Sequence, residues 1–323
     1  MKRTPISSKK ATSFTIATVL LFGVILFALN TGAADINLFS LSDAGRQILF
    51  KIRIPRIILG LITGLVLATT GGVLQGMLNN PLAEPYLLGI SSGAALGSII
   101  ALVLRQVFLM PLFGFLGALF TIVLVWNLAQ KDHFIERTRL ILAGIIVSLF
   151  FSAIISLIMS IFQQELGQIF AILMGNLGYI FSSQNLYLLW ILLGVSLIGV
   201  VILNIFALRI NILSLGDYTA DSMGIDVQRT RKTLFVLSSL LVGIVVAFTG
   251  IIGFVGLIIP HICRMIIGPN NRYLLALSGI LGATFLVFCD TIARSILVIE
   301  LPVGVITAIF GAPFFVYLLR KNR

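Results

Sequence analysis

His261 and Cys263 are of the types a metal site would use, since imidazole and thiolate both ligate transition metals. Their spacing argues against a shared ion. Each helical residue turns the chain by about 100°, so positions two apart lie on different faces. We expect no metal ligand here and a structural role for His261. The two cysteines, Cys263 and Cys289, lie in apolar surroundings and give no disulfide framework. Asp290 and Arg294 stand one helical turn apart, where a carboxylate and a guanidinium can pair. Ser148, Ser152, Ser156 and Ser160 recur at steps of four and set a hydroxyl seam along one helix face. Such hydroxyls bond back to the backbone, bridge to a neighbouring helix, or line a polar path. There is no G-x-x-x-x-G-K-[ST] phosphate loop, and no motif fixes a nucleophile beside a base. No catalytic residue is expected, and any nucleotide must bind on another chain.

The longest polar interruption of the second half runs over 208–232. Ser214, Leu215, Gly216 and Asp217 have the form of a capping box, in which a hydroxyl and a carboxylate three residues on satisfy free N–H groups at a helix start. That start would open a short helix to Met223. Gly224 would end it in the left-handed conformation, and Asp226 would cap a second short helix running into Arg229, Arg231 and Lys232. The expected object is two stub helices with a glycine hinge, outside the membrane.

The elements that must carry these residues follow from composition. Of 323 residues, 59% are hydrophobic and 10% charged, against about 25% charged in a soluble domain. Apolar runs long enough to cross a bilayer recur along the whole chain. The chain therefore reads as one all-α polytopic membrane domain over 1–323, because backbone groups in lipid must be satisfied within each segment. Ten spans are predicted, at 14–29, 57–78, 88–104, 112–130, 140–162, 186–207, 233–250, 252–267, 273–296 and 303–319. The division at 250–253 is the least marked, and merging those two runs would give nine. A surface helix is expected over 166–181. The first run also has the flanks of a signal peptide, with Ala33 and Ala34 near a cleavage site; the many spans after it favour an uncleaved helix.

The net charge of +11 is spread over short clusters between apolar runs. That suits loops beside anionic lipid and gives no reason to expect nucleic acid. With both termini in the cytoplasm, sixteen of the twenty-two Lys and Arg fall on the inner side, 208–232 among them. The outer exceptions include Arg53 and Arg56, which bracket Pro55, and Arg294. They either snorkel or pair locally, or they form a basic surface for an acidic partner. Small residues at four-residue spacing predict close helix packing: Gly60, Gly64, Ala68, Gly72 and Gly76; Gly89, Gly93 and Gly97; Gly304, Ala308 and Ala312.

The stretch 53–97 joins R-x-P-R (Arg53, Pro55, Arg56) to Gln75, Asn80, Pro81, Leu82 and Ala83, then to Pro85, Leu88, Gly89, Gly93 and Ala94. Further blocks are GFVGLIIPHICR from Gly253, DTIAR from Asp290, and ELPVGVITAIFGAPFFVYLL from Glu300. In this order and spacing the chain resembles the FecCD family of ABC-importer permeases, which serve iron-siderophore, haem and cobalamin uptake. The resemblance covers nearly the whole chain and does not fix the cargo.

It implies the type II importer fold with ten spans, in the cytoplasmic membrane of a prokaryote. It implies a second permease subunit, two ATPase subunits that hold ATP and Mg, and an extracytoplasmic substrate-binding protein. By that resemblance Ser214, Leu215, Gly216, Asp217, Ala220, Met223, Gly224 and Ile225 would form the ATPase contact. Arg53, Arg56 and Arg294 would receive acidic residues of the binding protein. The fifth and tenth spans would line the path, with Ser148, Ser152, Ser156, Ser160, Gly304 and Ala308. Ferric siderophore is the expected cargo, with haem and cobalamin as alternatives. An ion-gradient transporter would need buried carboxylates near mid-membrane, and only Asp290 falls well within a predicted span.

Overall fold

The computed structural model describes residues 8–32, 42–131, 134–182, 184–297 and 299–321. The cleavage-site residues Ala33 and Ala34 lie outside the described residues. The chain opens with α1 (Ser8–Asn30) and α2 (Asp43–Ile48), whose π-helical extension Leu49–Arg53 runs straight into α3 (Ile54–Leu78). Then follow α4 (Ile90–Val103), α5 (Met110–Ala129), a minimal antiparallel hairpin of β1 (Gln130–Lys131) and β2 (Phe134–Ile135), α6 (Arg137–Ile161), α7 (Leu166–Met174) and α8 (Leu186–Ile205). The second half holds α9 (Ala207–Leu213), α10 (Asp217–Ser222), α11 (Val227–Thr249), α12 (Val255–Ile267), α13 (Asn271–Ala293) and α14 (Val303–Lys321).

Among the described residues, seven helices are long and apolar enough to cross a membrane; α4, α12 and the first part of α14 are shorter apolar helices that bring the number to about the expected ten. The division at 250–253 is real, because Gly250 and Phe254 both take positive φ, +67° and +70°, and no helix continues through them. At 1.5 Å per residue α4 and α12 reach only about 20 Å, against a hydrocarbon core of about 30 Å. Irregular backbone precedes each of them, at 79–89 and 250–254. Such backbone is tolerated at that depth only where protein buries it.

The core is built on α3, whose apolar window is 83% buried. The predicted glycine stripe explains how. A Cβ on Gly64 would lie 2.3 Å from the Gly282 carbonyl oxygen of α13, and one on Gly71 would lie 2.0 Å from the Gly256 oxygen of α12. The second stripe does the same against α5, where a Cβ on Gly97 would lie 2.1 Å from the Phe113 oxygen. Lacking side chains, these backbones approach closely enough for dispersion to hold apolar helices together without a hydrophobic driving force.

The expected surface helix over 166–181 is corrected. Its helical part stops at Met174, and Gly175 turns the chain at φ +72°. From there the backbone pairs inward, Asn176 N–H donating to Thr249 O at 2.7 Å and Ile251 N–H to Ile172 O at 2.9 Å. Buried backbone at a helix break needs partners, and each broken segment supplies them for the other.

Candidate functional site

The connection 79–89, the break 250–254, α7 and the start of α14 border an open cavity of about 400 Å³ beside α6. Ser152, Gly304 and Ala308 line it, with Glu84, Tyr86, Ser92 and Phe254. Val303 N–H donates to Gly175 O at 3.0 Å, and a Cβ on Gly304 would lie 2.1 Å from the Met174 oxygen, so α14 enters the wall with no room for a side chain there.

The serine seam divides. Ser152 reaches the cavity, and Ser156 and Ser160 are exposed. Ser156 Oγ donates to Ser152 O at 2.9 Å. Ser148 Oγ is buried and has no partner among the described residues. Glu84 is the residue that sequence reasoning missed. Its Oε1 accepts from Phe254 N–H at 2.5 Å, capping from a distance the start of α12, which has no side-chain cap of its own. Glu84 stands between Ala83 and Pro85 in the quoted motif but outside every predicted span. Its place in the chain therefore gives no sign of a buried carboxylate, although the folded connection carries it into the cavity.

On the predicted inner side, Gly224 takes φ +79° as expected and Asp226 caps a helix, accepting from Arg229 N–H at 2.9 Å. Two details are corrected. The helix after Asp226 is no stub but the beginning of the 23-residue α11. Nor is there a capping box. Ser214 Oγ donates back to Asn211 O at 2.6 Å, and Gly216, at φ +115°, is the N-cap of α10 without a side-chain bond. Asp217 is engaged elsewhere: its carboxylate accepts from Arg137 Nη2, and from Arg231 Nη2 at 2.8 Å to both oxygens. Two guanidinium partners bind a carboxylate more strongly than a backbone N–H does. Burial alone would raise the Asp217 pKa, but the hydrogen bonds and charges of Arg231 and Arg137 outweigh it and hold the group below its ordinary 3.8. Its contribution to stability is therefore complete above the ordinary value and is lost only as pH falls through the lower folded one. Leu215, Tyr218 and Met223 project into solvent, Ala220 is buried, and Ile225 is half-buried against the core.

Nothing lies within 4 Å of a Cβ built on Gly224, so the first added carbon of Gly224→Val meets no steric clash. Its cost is the left-handed backbone, about 1–2 kcal/mol. By the family resemblance, in which this turn belongs to the ATPase contact, we expect that variant to keep its spans, with an unfolding midpoint close to the parent's, while a reconstituted transporter would hydrolyse ATP without matching transport. Normal coupling would show that this turn is not needed.

At the predicted outer face the structure follows the local-pairing reading, Arg294 with Asp290, and not the reading of an exposed basic surface. Arg53, Arg56 and Arg294 are 3%, 7% and 4% exposed. Arg56 grips Asp290 through Nε and Nη2 at 2.8–3.1 Å, and its Nη1 reaches Glu300 at 2.8 Å. Arg294 Nε lies 3.6 Å from Asp290, and its Nη2 donates to Ala28 O. Arg53 Nη1 donates to Leu29 O at 2.6 Å. In a medium of low dielectric the nearest carboxylate and free helix-end carbonyls outcompete solvent for these cations. The cluster thereby fastens the end of α1 to α3 and α13. His261, on α12, packs edge-on against Phe314 at 6.1 Å.

The sequence profile described as the FecCD transport family matches residues 12–321. A cobalamin import system permease of Halobacterium salinarum is 38% identical over 287 residues, covering 88% of this chain and 76% of its own. A hemin transport system permease of Yersinia pestis is 35% identical over 319 residues, covering 93% of this chain and 94% of its own. A solved structure described as an inward-facing conformation of a metal-chelate type ABC transporter superposes with a TM-score of 0.85 at 34% identity, covering 96% of this chain and 99% of that one.

Proposed function

The chain belongs to the FecCD transport family, as a membrane-spanning permease subunit of an ABC importer, and from that premise we propose that it carries a ferric siderophore inward by alternating access through the cavity beside α6. The observation that carries the reading is the construction of that cavity. Its walls are helix ends, irregular backbone and one face of α6, with Ser152, Gly304 and Ala308 on the lining and Glu84 as the one carboxylate among the described residues. Such a lining offers few strong ligands to a large chelate in transit, which suits passage rather than retention. Affinity for the cargo belongs to an extracytoplasmic binding protein in this proposal, and ATP with Mg belongs to two ATPase subunits. α10 and its flanks meet the ATPase, so both termini face the cytoplasm. A second permease subunit, a copy or a paralogue, completes the path.

Docking of the binding protein at the outer face needs one refinement. The arginines are engaged inward, and the exposed member of their cluster is Glu300, whose side chain is 43% accessible. An acidic partner residue would displace Glu300 from Arg56 rather than meet an open guanidinium.

The similarity to a metal-chelate type transporter supports a metal chelate as cargo, a class that takes in haem and cobalamin, which are the alternatives. The test is uptake into proteoliposomes holding this chain, its cognate ATPase and its binding protein, with ferric siderophores, haem and cobalamin offered in parallel. ATP-dependent accumulation of siderophore alone supports the proposal. Accumulation of haem or cobalamin replaces the cargo. Uptake that ignores ATP and follows a proton or sodium gradient overturns the mechanism.

A further inference from the structure

α10 is six residues long, and Ala220 is its only buried residue. Glycines with positive φ flank it, Gly216 at +115° and Gly224 at +79°, and at neither would an added Cβ meet another atom within 4 Å. Packing alone therefore holds α10 loosely. Among the described residues, the ion pairs of α10 all run through Asp217, its first residue. They lead to two places. Arg231, 1% exposed on α11, places Nη2 on Asp217 and Nη1 on Ile135 O at 2.7 Å, while Gln228 Oε1 accepts from Ile135 N–H at 3.1 Å. These bonds fix the hairpin that feeds α6. Arg137, the first residue of α6, places Nη2 on Asp217 and on Leu213 O at 3.2 Å. α6 then runs 25 residues without proline, about 37 Å at 1.5 Å per residue, and carries Ser152 to the cavity.

We propose that Asp217 is a positioning residue that transmits movement of α10 to α6, through Arg137, and so to the cavity wall. This rests on the reading of α10 as the ATPase contact. The geometry separates two tasks. The Arg231 arm is buried and anchors the hairpin, whereas the Arg137 arm is 21% exposed and links the lever to the spanning helix. A bridge that only pinned the polar segment would act on stability alone; a transmitting bridge must also bias the position of α6 when the ATPase moves α10.

The test uses the full transporter in nanodiscs with Ser152→Cys as a reporter. Cys263 and Cys289 are fully buried and stay silent toward a polar thiol reagent. In the parent, ATP binding should change the alkylation rate at position 152. Arg137→Gln keeps the Arg231 arm and cuts the link to α6. The ATP-dependent change should then shrink by about tenfold, with the unfolding midpoint and ATP hydrolysis retained. Arg137→Lys, which keeps the charge, should restore part of the change. A full ATP-dependent change in Arg137→Gln overturns the inference. So does a loss that tracks a lowered unfolding midpoint and that Arg137→Lys does not rescue. In parallel, Tyr218→Cys, at an 88% exposed position of α10, is cross-linked to the ATPase. Failure of that cross-link in the parent overturns the reading of α10 itself; a retained cross-link with a full response in Arg137→Gln overturns only the transmission.

Discussion

Asp290→Ala is expected to destabilise the protein by about 3–5 kcal/mol, the cost of leaving a buried charge without its partner. Asp290 is 3% exposed and is the shared counter-ion of Arg56 and Arg294. Without it, Arg56 keeps only the half-exposed Glu300, and Arg294 keeps the Ala28 carbonyl. Two guanidinium groups would then face each other in a buried site. Unfolding in detergent, by denaturant or heat, reads the loss. Asp290→Asn should cost less, because an amide oxygen still accepts from Arg56. The paired replacement Arg56→Leu with Asp290→Leu should fall between parent and Asp290→Ala, since removing both charges avoids the uncompensated state. A loss under about 1 kcal/mol for Asp290→Ala, the scale of a solvated surface pair, would show that the cluster is hydrated. The same reasoning governs Arg53→Glu and Arg56→Glu. Weakened docking in those variants is informative only after folding has been measured.

Gly71→Val is expected to prevent α3 and α12 from seating. Already the first added carbon would lie 2.0 Å from the Gly256 oxygen and 2.5 Å from its carbonyl carbon and Cα. All three are backbone atoms, so relief requires moving a helix rather than a side chain. Overpacking costs about 1–3 kcal/mol where side chains can adjust; here it should exceed that and appear as loss of folded protein. Gln75 Nε2 would also part from the Gly256 and Leu257 oxygens, each at 3.2 Å. Gly194→Ala is the control, since nothing lies within 4 Å of that position. Equal folded yields and unfolding midpoints for the two variants would mean that α3 and α12 stand further apart than described.

Much of this protein was legible in its order of residues, for reasons that are local. A span must satisfy its own backbone, so its length and apolarity announce it. Glycine at steps of four announces a close approach, and the stripes on α3 and α4 meet α13, α12 and α5 as that spacing requires. Gly224 and the Asp226 cap are decided within a few residues, and both stand where the sequence placed them. The motifs from Arg53 to Gly97 and from Gly253 onward were enough to name the family.

Sequence reading supplied the local pair of Asp290 and Arg294 but not the distant partners of the charges. Arg53, Arg56 and Arg294 read as an outer surface because loop position is all that a linear chain shows. Their inward turn depends on Asp290, 234 positions from Arg56, and on the carbonyls that end α1. Asp217 read as a cap because Ser214 stands three residues before it. Arg137, eighty positions earlier, claims it instead. Glu84 became part of a cavity only when α12 brought Phe254 N–H to it across 170 positions. By itself the sequence determined the helices, their packing faces and the family, since those depend on periodicity and on neighbours within a turn or two. Only the tertiary structure decided where the charges end, because a buried charge is stabilised by whichever opposite group the fold brings within about 4 Å, at any distance along the chain.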